Sequence, residues 1–142
     1  MKKIEDVILF QIDLTSKVSK QYSQREFNNL NLGITVEQWV VLKIVSESSN
    51  LSQKELAEKS FRDAASITRT LDLLEKKEYL FRKSIPNNRR AYEICLSEKG
   101  EQFIKDNIEL IYELRKLSTQ SFRSEELEVL SSYLERIMSN MS

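Results

Sequence analysis

Histidine is absent from the 142 residues and cysteine occurs once. Those gaps remove Ser–His and Cys–His nucleophile pairs, intrachain disulfides and most metal sites. No metal and no cofactor is expected. The lone Cys95 lies between Ile94 and Leu96 with no cation adjacent in sequence, which predicts a small apolar residue rather than a redox sensor. Two glycines and one proline leave little material for sheets or long loops, so a mostly helical chain is expected. There is no glycine-rich phosphate loop and no constellation of Lys, Ser or carboxylates that would form a catalytic site, so an enzyme is not expected. No apolar run approaches the ~20 residues that span a bilayer. Met1-Lys2-Lys3 leads into an amphipathic helix containing acids rather than a signal peptide. The expected setting is cytoplasmic, with no membrane partner.

Net charge is missing too, with 22 Lys and Arg against 22 Asp and Glu, yet the charge is segregated. From Ser52 to Glu93 there are ten cations and seven acids, a balance of +3. From Ser97 onward there are six and nine, a balance of −3, and the N-terminal part balances. Local positive charge, not the total, sets phosphate affinity, so a basic segment within a neutral chain keeps nucleic acid among the expected partners.

That basic segment carries the strongest pattern in the chain. Ser52 with Glu55 three residues on reads as a capping box that opens a helix of about two turns. A second helix starts near Asp63 and runs to about Lys77. A hairpin follows, turning at Pro86-Asn87-Asn88, with Arg82, Lys83, Arg89 and Arg90 uninterrupted by any acid. Two helices joined by a short turn make a helix-turn-helix, and the cationic hairpin makes it a winged one. Around it, a long helix is expected over residues 3 to 28. A second is capped by Thr35 and has Trp39, Val40, Leu42, Ile44 and Val45 as core. A third runs from Ser97 to about Thr119 with Gly100 tolerated in its first turn, and a last one is capped by Ser124. In that last helix Leu127, Leu130, Leu134, Ile137 and Met141 step by three and four, the seam of a helix–helix contact. By length the chain is one domain, 1–142. The expected fold is mainly α with a small β-hairpin wing, in which residues 34–100 form the reading head. Residues 1–28 and 101–141 form a dimerisation region for a homodimer, the other reading of the seam being packing of the last helix against the first in the same chain.

Advancing ~100° per residue along the second helix of the motif gathers Ile67, Leu71 and Leu74 into a buried stripe. Ala65, Arg69, Asp72 and Lys76 lie opposite, flanked by Ser66 and Thr68. The start of this face is small and polar, as a helix entering the major groove requires, and Arg69 is the side chain able to fork onto a guanine. Ser66 and Thr68 suit a base edge or a phosphate, and Ala65 a thymine methyl. Arg89 and Arg90 at the hairpin tip suit a narrow minor groove. Lys83, Arg82 and Arg62 are expected at phosphates.

The segments ITVEQWVVLKIV, LSQKELAEKS, DAASITRTLDLLEKK and NNRRAYEICLSEKG, in that order and spacing, resemble the MarR family of bacterial transcription regulators from about Ile34 to Phe103. The resemblance implies a homodimer that binds a pseudo-palindromic operator on double-stranded DNA, usually as a repressor. It also implies release by a small aromatic or amphipathic effector held between the first helices, the long fifth helix and the reading head, where Tyr22, Trp39 and Tyr112 are the candidate lining residues. Three positions depart from the family pattern. Asn88 replaces an acid two residues before Arg90, the N-terminal cysteine of the thiol-sensing branch is missing, and Glu78 stands where a glycine often follows the recognition helix. A left-handed Glu would cost ~1 kcal/mol or more, so the helix is expected to end in another way. The competing expectation is a winged helix that binds only protein, as a scaffold or antirepressor. The small polar face around Ala65, Ser66, Thr68 and Arg69 argues against it.

Overall fold

A computed structural model of the protein describes the backbone of residues 1–142 and every side chain except those of Arg89 and Arg90. It divides into two compact units, Met1–Glu109 and Leu110–Ser142. The first contains a 3-10 turn at Ile4–Asp6, then α1 (Ile8–Asn29), α2 (Val36–Ser46), β1 (Leu51–Ser52), α3 (Gln53–Ser60), α4 (Ala64–Lys76), β2 (Leu80–Ile85), β3 (Asn88–Leu96) and the first part of α5 (Glu98–Lys116). The second holds the rest of α5, a 3-10 turn at Leu117–Thr119 and α6 (Ser124–Met141). The fold is the mainly helical one expected, six helices with one small antiparallel sheet in the order β1-β3-β2.

Caps set most helix starts. Thr35 Oγ1 accepts from Gln38 N at 3.1 Å while Gln38 Oε1 accepts from Thr35 N at 3.0 Å, a full capping box. Asp63 accepts from Ser66 N at 2.7 Å and starts α4. At α3 the box is only half made. Ser52 Oγ accepts from Glu55 N, but the Glu55 carboxylate takes the Ser52 hydroxyl at 3.1 Å instead of the backbone N–H. Ser52 belongs to β1, opposite Glu93 of β3, so its backbone is part of the sheet. The last helix also begins differently from expectation. Arg123 occupies the cap position of α6, and Glu126 reaches back to its N–H at 3.0 Å, which leaves Ser124 as the first helical residue.

The core of the first unit joins α2, the helix-turn-helix and the sheet. On α2 the buried face is Gln38, Trp39, Val41, Leu42 and Val45. Val41 takes the place expected for Val40, which is exposed. Trp39 tilts against Phe103 with ring centroids 6.4 Å apart, and Phe103 meets Tyr79 at 4.6 Å. Ile67, Leu71 and Leu74 of α4 are fully buried, as their spacing required, with Leu51, Leu56 and Leu80 beside them in the core. Each such side chain contributes about 1.5–3 kcal/mol. In the hairpin, Pro86 and Asn87 fill the turn between Ile85 and Asn88, and Asn87 has φ +67. Proline followed by a positive-φ residue is the signature of a type II turn.

The junction of α4, the sheet and α5 explains two residues that sequence reasoning misjudged. Glu78 is left-handed after all, with φ +67. Glu78 N bonds Glu75 O at 2.9 Å and Tyr79 N bonds Leu74 O at 3.1 Å, which together make a Schellman motif. Ser97 Oγ donates to Glu78 O at 2.6 Å and clamps the turn to the start of α5. These bonds hold a conformation that glutamate alone disfavours. Gly100 is required, not merely tolerated. A Cβ there would lie 2.0 Å from the Tyr79 carbonyl oxygen and 2.8 Å from Leu96 Cδ1. Ser97 Oγ also accepts from Gly100 N at 3.0 Å, so the run Leu96-Ser97-Glu98-Lys99-Gly100 is a cap together with a close approach.

In the second unit α6 has no buried residue. Leu127, Leu134 and Ile137 are half-buried, while Val129, Leu130, Tyr133, Met138 and Met141 are exposed. At the other chain end, Ile4, Ile8, Leu9, Leu14 and Val18 are exposed as well. Both ends therefore carry exposed apolar side chains.

Candidate nucleic-acid interface

The site is built on α4. Its buried side anchors it in the core, and the opposite side exposes Ala65, Thr68, Arg69, Asp72 and Lys76. Arg69 has no hydrogen-bond or ion-pair partner among the described residues, so its guanidinium donors remain available. Thr68 is exposed but engaged, donating to Ala64 O at 2.9 Å and accepting from Gln53 Nε2 at 2.9 Å. Gln53, the first residue of α3, thus joins this surface without any sequence signal beyond its place after the cap. Ser66 is half-buried, and its hydroxyl accepts from Arg62 Nη2 at 2.5 Å.

Two of the arginines expected at phosphates are paired with acids of the same chain. Arg82, on β2, is only 17% exposed. Its Nη2 lies 2.8 Å from Asp72 and its Nη1 2.7 Å from Glu75, both on α4. Arg82 Nη2 also reaches Thr68 O at 3.4 Å. Arg62, in the interhelical turn, is 24% exposed. Its Nη2 bonds Glu37 at 3.2 Å, and its buried Nη1 has no partner among the described residues. Lys83 remains exposed on β2, opposite Glu93, with no ion pair within 4 Å among the described residues. Arg89 and Arg90 begin β3 next to the turn; the expectation placed on their side chains lies outside the described residues. An open groove of about 1030 Å³ runs between α3 and the wing, lined by Lys54, Ala57, Phe61, Ala64, Asn88 and Tyr92 among others. Phe61, left-handed at φ +55, stands 98% exposed at its edge.

Electrostatics distinguish two further groups. The carboxyl of Glu37 sits below its ordinary value, chiefly because Lys20 donates to it and secondarily because Arg62 is near, against the opposing effect of burial. The Cys95 thiol is pushed up by burial and by Glu93, with Lys83 acting weakly in the other direction. A raised thiol pKa keeps it protonated and a poor nucleophile. Of the candidate effector contacts, Trp39 is 1% exposed, and its indole Nε1 has no partner among the described residues. Tyr22 is half-buried, with Arg25 5.8 Å over its ring. Tyr112 is exposed in the second unit. The three described cavities are lined by other residues. No helix among the described residues is long and apolar enough to cross a membrane.

A buried-face recognition helix, a short partner helix and a strand pair behind them define the class of winged helix-turn-helix proteins. Within that class, residues 34–92 match the model of the MarR family. The whole chain shares its fold with solved structures. A MarR/EmrR family transcriptional regulator from Acinetobacter sp. ADP1 is 21% identical, with a TM-score of 0.88 over 99% of this chain and 98% of the other. MepR of S. aureus, in a structure with DNA, is 20% identical, with a TM-score of 0.82 over 94% and 98%. A mutant MarR from E. coli, complexed with operator DNA, is 21% identical, with a TM-score of 0.83 over 96% and 99%.

Proposed function

We propose that this chain is a sequence-specific DNA-binding transcriptional repressor that acts as a homodimer on a pseudo-palindromic operator. The observation that carries the reading is Arg69, exposed and without a partner among the described residues, on the outward face of α4. The DNA-bound relatives of the same fold, MepR and MarR, support it. In this reading residues 34–100 are the reading head, and residues 1–28 and 101–141 are the dimerisation helices. The apolar surface on α1 and α6 is what a second copy would cover. Arg69 reads a base, Ala65, Ser66 and Thr68 shape the fit around it, and Lys83 meets a phosphate. Arg89 and Arg90 enter the minor groove, a role taken from their place in the wing alone. A small aromatic or amphipathic effector releases the DNA, and Trp39, whose indole N–H has no partner among the described residues, is the first candidate to contact it.

Fluorescence anisotropy on a promoter fragment from beside the protein's own gene, titrated across salt, tests the proposal. The dimer should need two half-sites about one helical turn apart, ~34 Å. Arg69→Ala should cost ~1–3 kcal/mol on that fragment and relax preference at one position per half-site. Equal weakening on random and operator DNA would make Arg69 a phosphate clamp. Failure of the unaltered protein to prefer any promoter sequence would favour a winged helix that binds protein only.

A further inference from the structure

Four side chains from four segments meet behind the recognition helix. Lys20 of α1 lies 2.5 Å from Glu37 Oε1 in the first turn of α2. Glu37 Oε2 takes Arg62 Nη2 at 3.2 Å, and the same Nη2 donates to Ser66 Oγ at 2.5 Å in the first turn of α4. Both carboxylate oxygens of Glu37 are thus committed, each to a cation from a different segment. The Arg62 backbone is fixed too, since its N–H closes the end of α3 on Ala57 O at 3.0 Å. An arginine that serves phosphate must offer free donors to solvent, as Arg69 does. Arg62 has turned its guanidinium inward, with Nη1 buried. Ser66 is three residues before Arg69, close to it on the helix surface, so whatever fixes the first turn of α4 also fixes the aim of Arg69.

We propose that Lys20, Glu37, Arg62 and Ser66 form a positioning relay that holds the start of the recognition helix against α1 and α2. Arg62 is therefore a positioning residue, not a DNA contact. The inference rests on the DNA-binding reading for its consequence, though not for its mechanics. Glu37 is the informative member. Both its oxygens are taken by cations of this chain, and neutralising it removes a negative charge, which by long-range electrostatics alone would strengthen DNA binding. If the relay aims Arg69, neutralising Glu37 weakens operator binding instead.

The test uses the full-length protein with Glu37→Gln, Arg62→Ala and the double variant, read in two ways. The first needs no DNA. Amide hydrogen exchange over residues 63–69 should accelerate in Glu37→Gln, and unchanged protection there overturns the relay whatever the protein binds. The second is anisotropy on operator and random DNA across salt. Glu37→Gln and Arg62→Ala should each lower operator affinity about tenfold. The double variant should be no weaker than Arg62→Ala, and the salt slope should be unchanged. A slope reduced by about one unit in Arg62→Ala, with Glu37→Gln binding as well as the unaltered protein or better, would make Arg62 a phosphate contact and sink the proposal. Strictly additive losses would sink it as well. If the unaltered protein shows no operator preference, the DNA-binding reading fails, and the exchange result still decides the relay.

Discussion

Replacing Glu78 by glycine should stabilise this protein even though it deletes a charged side chain. Glu78 has φ +67, a region in which a residue with a Cβ is strained by ~1–2 kcal/mol. Glycine removes that strain but makes the unfolded chain more flexible, at a cost of about 0.4–1 kcal/mol. The substitution also loses the Lys99–Glu78 pair, 3.7 Å apart between largely exposed side chains and so worth little. The Schellman bonds and the Ser97 clamp use only Glu78 backbone atoms and survive. The balance is a gain of about 0.5–1 kcal/mol, or ~2–4 °C in Tm for a chain of this size. Thermal and urea unfolding followed by circular dichroism, at fixed protein concentration, measure it. Glu78→Gln is the control, because it removes the charge and keeps the strain, and it should fall within ~0.5 kcal/mol of the unaltered protein. If Glu78→Gly were destabilised as much as Glu78→Gln or more, the strain argument would be refuted.

Gly100→Ala should cost about 2 kcal/mol or more in urea unfolding despite a ~1 kcal/mol gain in helix propensity, because the new Cβ meets the Tyr79 carbonyl at 2.0 Å; a stabilised variant would show that this close approach relaxes freely. Leu134→Asp should convert a species of about twice 16.7 kDa into monomer in sedimentation velocity, since an unpaired charge in an apolar seam costs several kcal/mol; an unchanged dimer would exclude α6 from the interface. Cys95→Ser should leave operator binding and its response to peroxide as they were, because the thiol pKa is raised rather than lowered; a peroxide response lost in that variant would make Cys95 a redox sensor. Finally, the Glu37 carboxyl is held below its ordinary value in the fold, so its contribution is present above that value and lost as pH falls through the folded one. Glu37→Gln should therefore flatten the acid limb of the stability profile, and an identical limb would remove Glu37 from the acid transition.

What was legible in the sequence was what depends on periodicity and on neighbours a few residues away. The stripe Ile67, Leu71 and Leu74, the Thr35 cap and the start of α4 at Asp63 all follow from spacings of three and four. β1 was not legible, because two residues show no period. Its existence is decided by Ile94 and Glu93, more than forty residues away along the chain. Glu78 pointed the wrong way for a specific reason. Residue identity argues against a left-handed turn, and only the tertiary clamp from Ser97, itself nineteen residues on, overrides it. Gly100 likewise looks neutral until the Tyr79 carbonyl is beside it. The candidate site divides in the same manner. The outward face of α4 could be written from angles alone, whereas the engagement of Thr68 by Gln53 and of Arg62 by Glu37 spans fifteen and twenty-five residues.

The arginines show why a charge count along the chain cannot stand for an interface. Arg82 reads in sequence as one of four wing cations, free of acids on either side. In the fold it faces Asp72 and Glu75, two carboxylates on the helix proposed to approach phosphates. Left unanswered, they would repel DNA at the surface proposed to receive it. Arg82 between them cancels half of that negative charge and ties β2 to α4 with charged hydrogen bonds at two points, so the wing and the recognition helix keep one relative angle. Two-point recognition needs that rigidity, because contacts on separate elements reinforce each other only when their spacing is fixed in advance. The cations of the basic segment thus divide by partner rather than by position. Arg62 and Arg82 are paired with acids of the same chain, and Arg69 and Lys83 are exposed with no ion pair among the described residues.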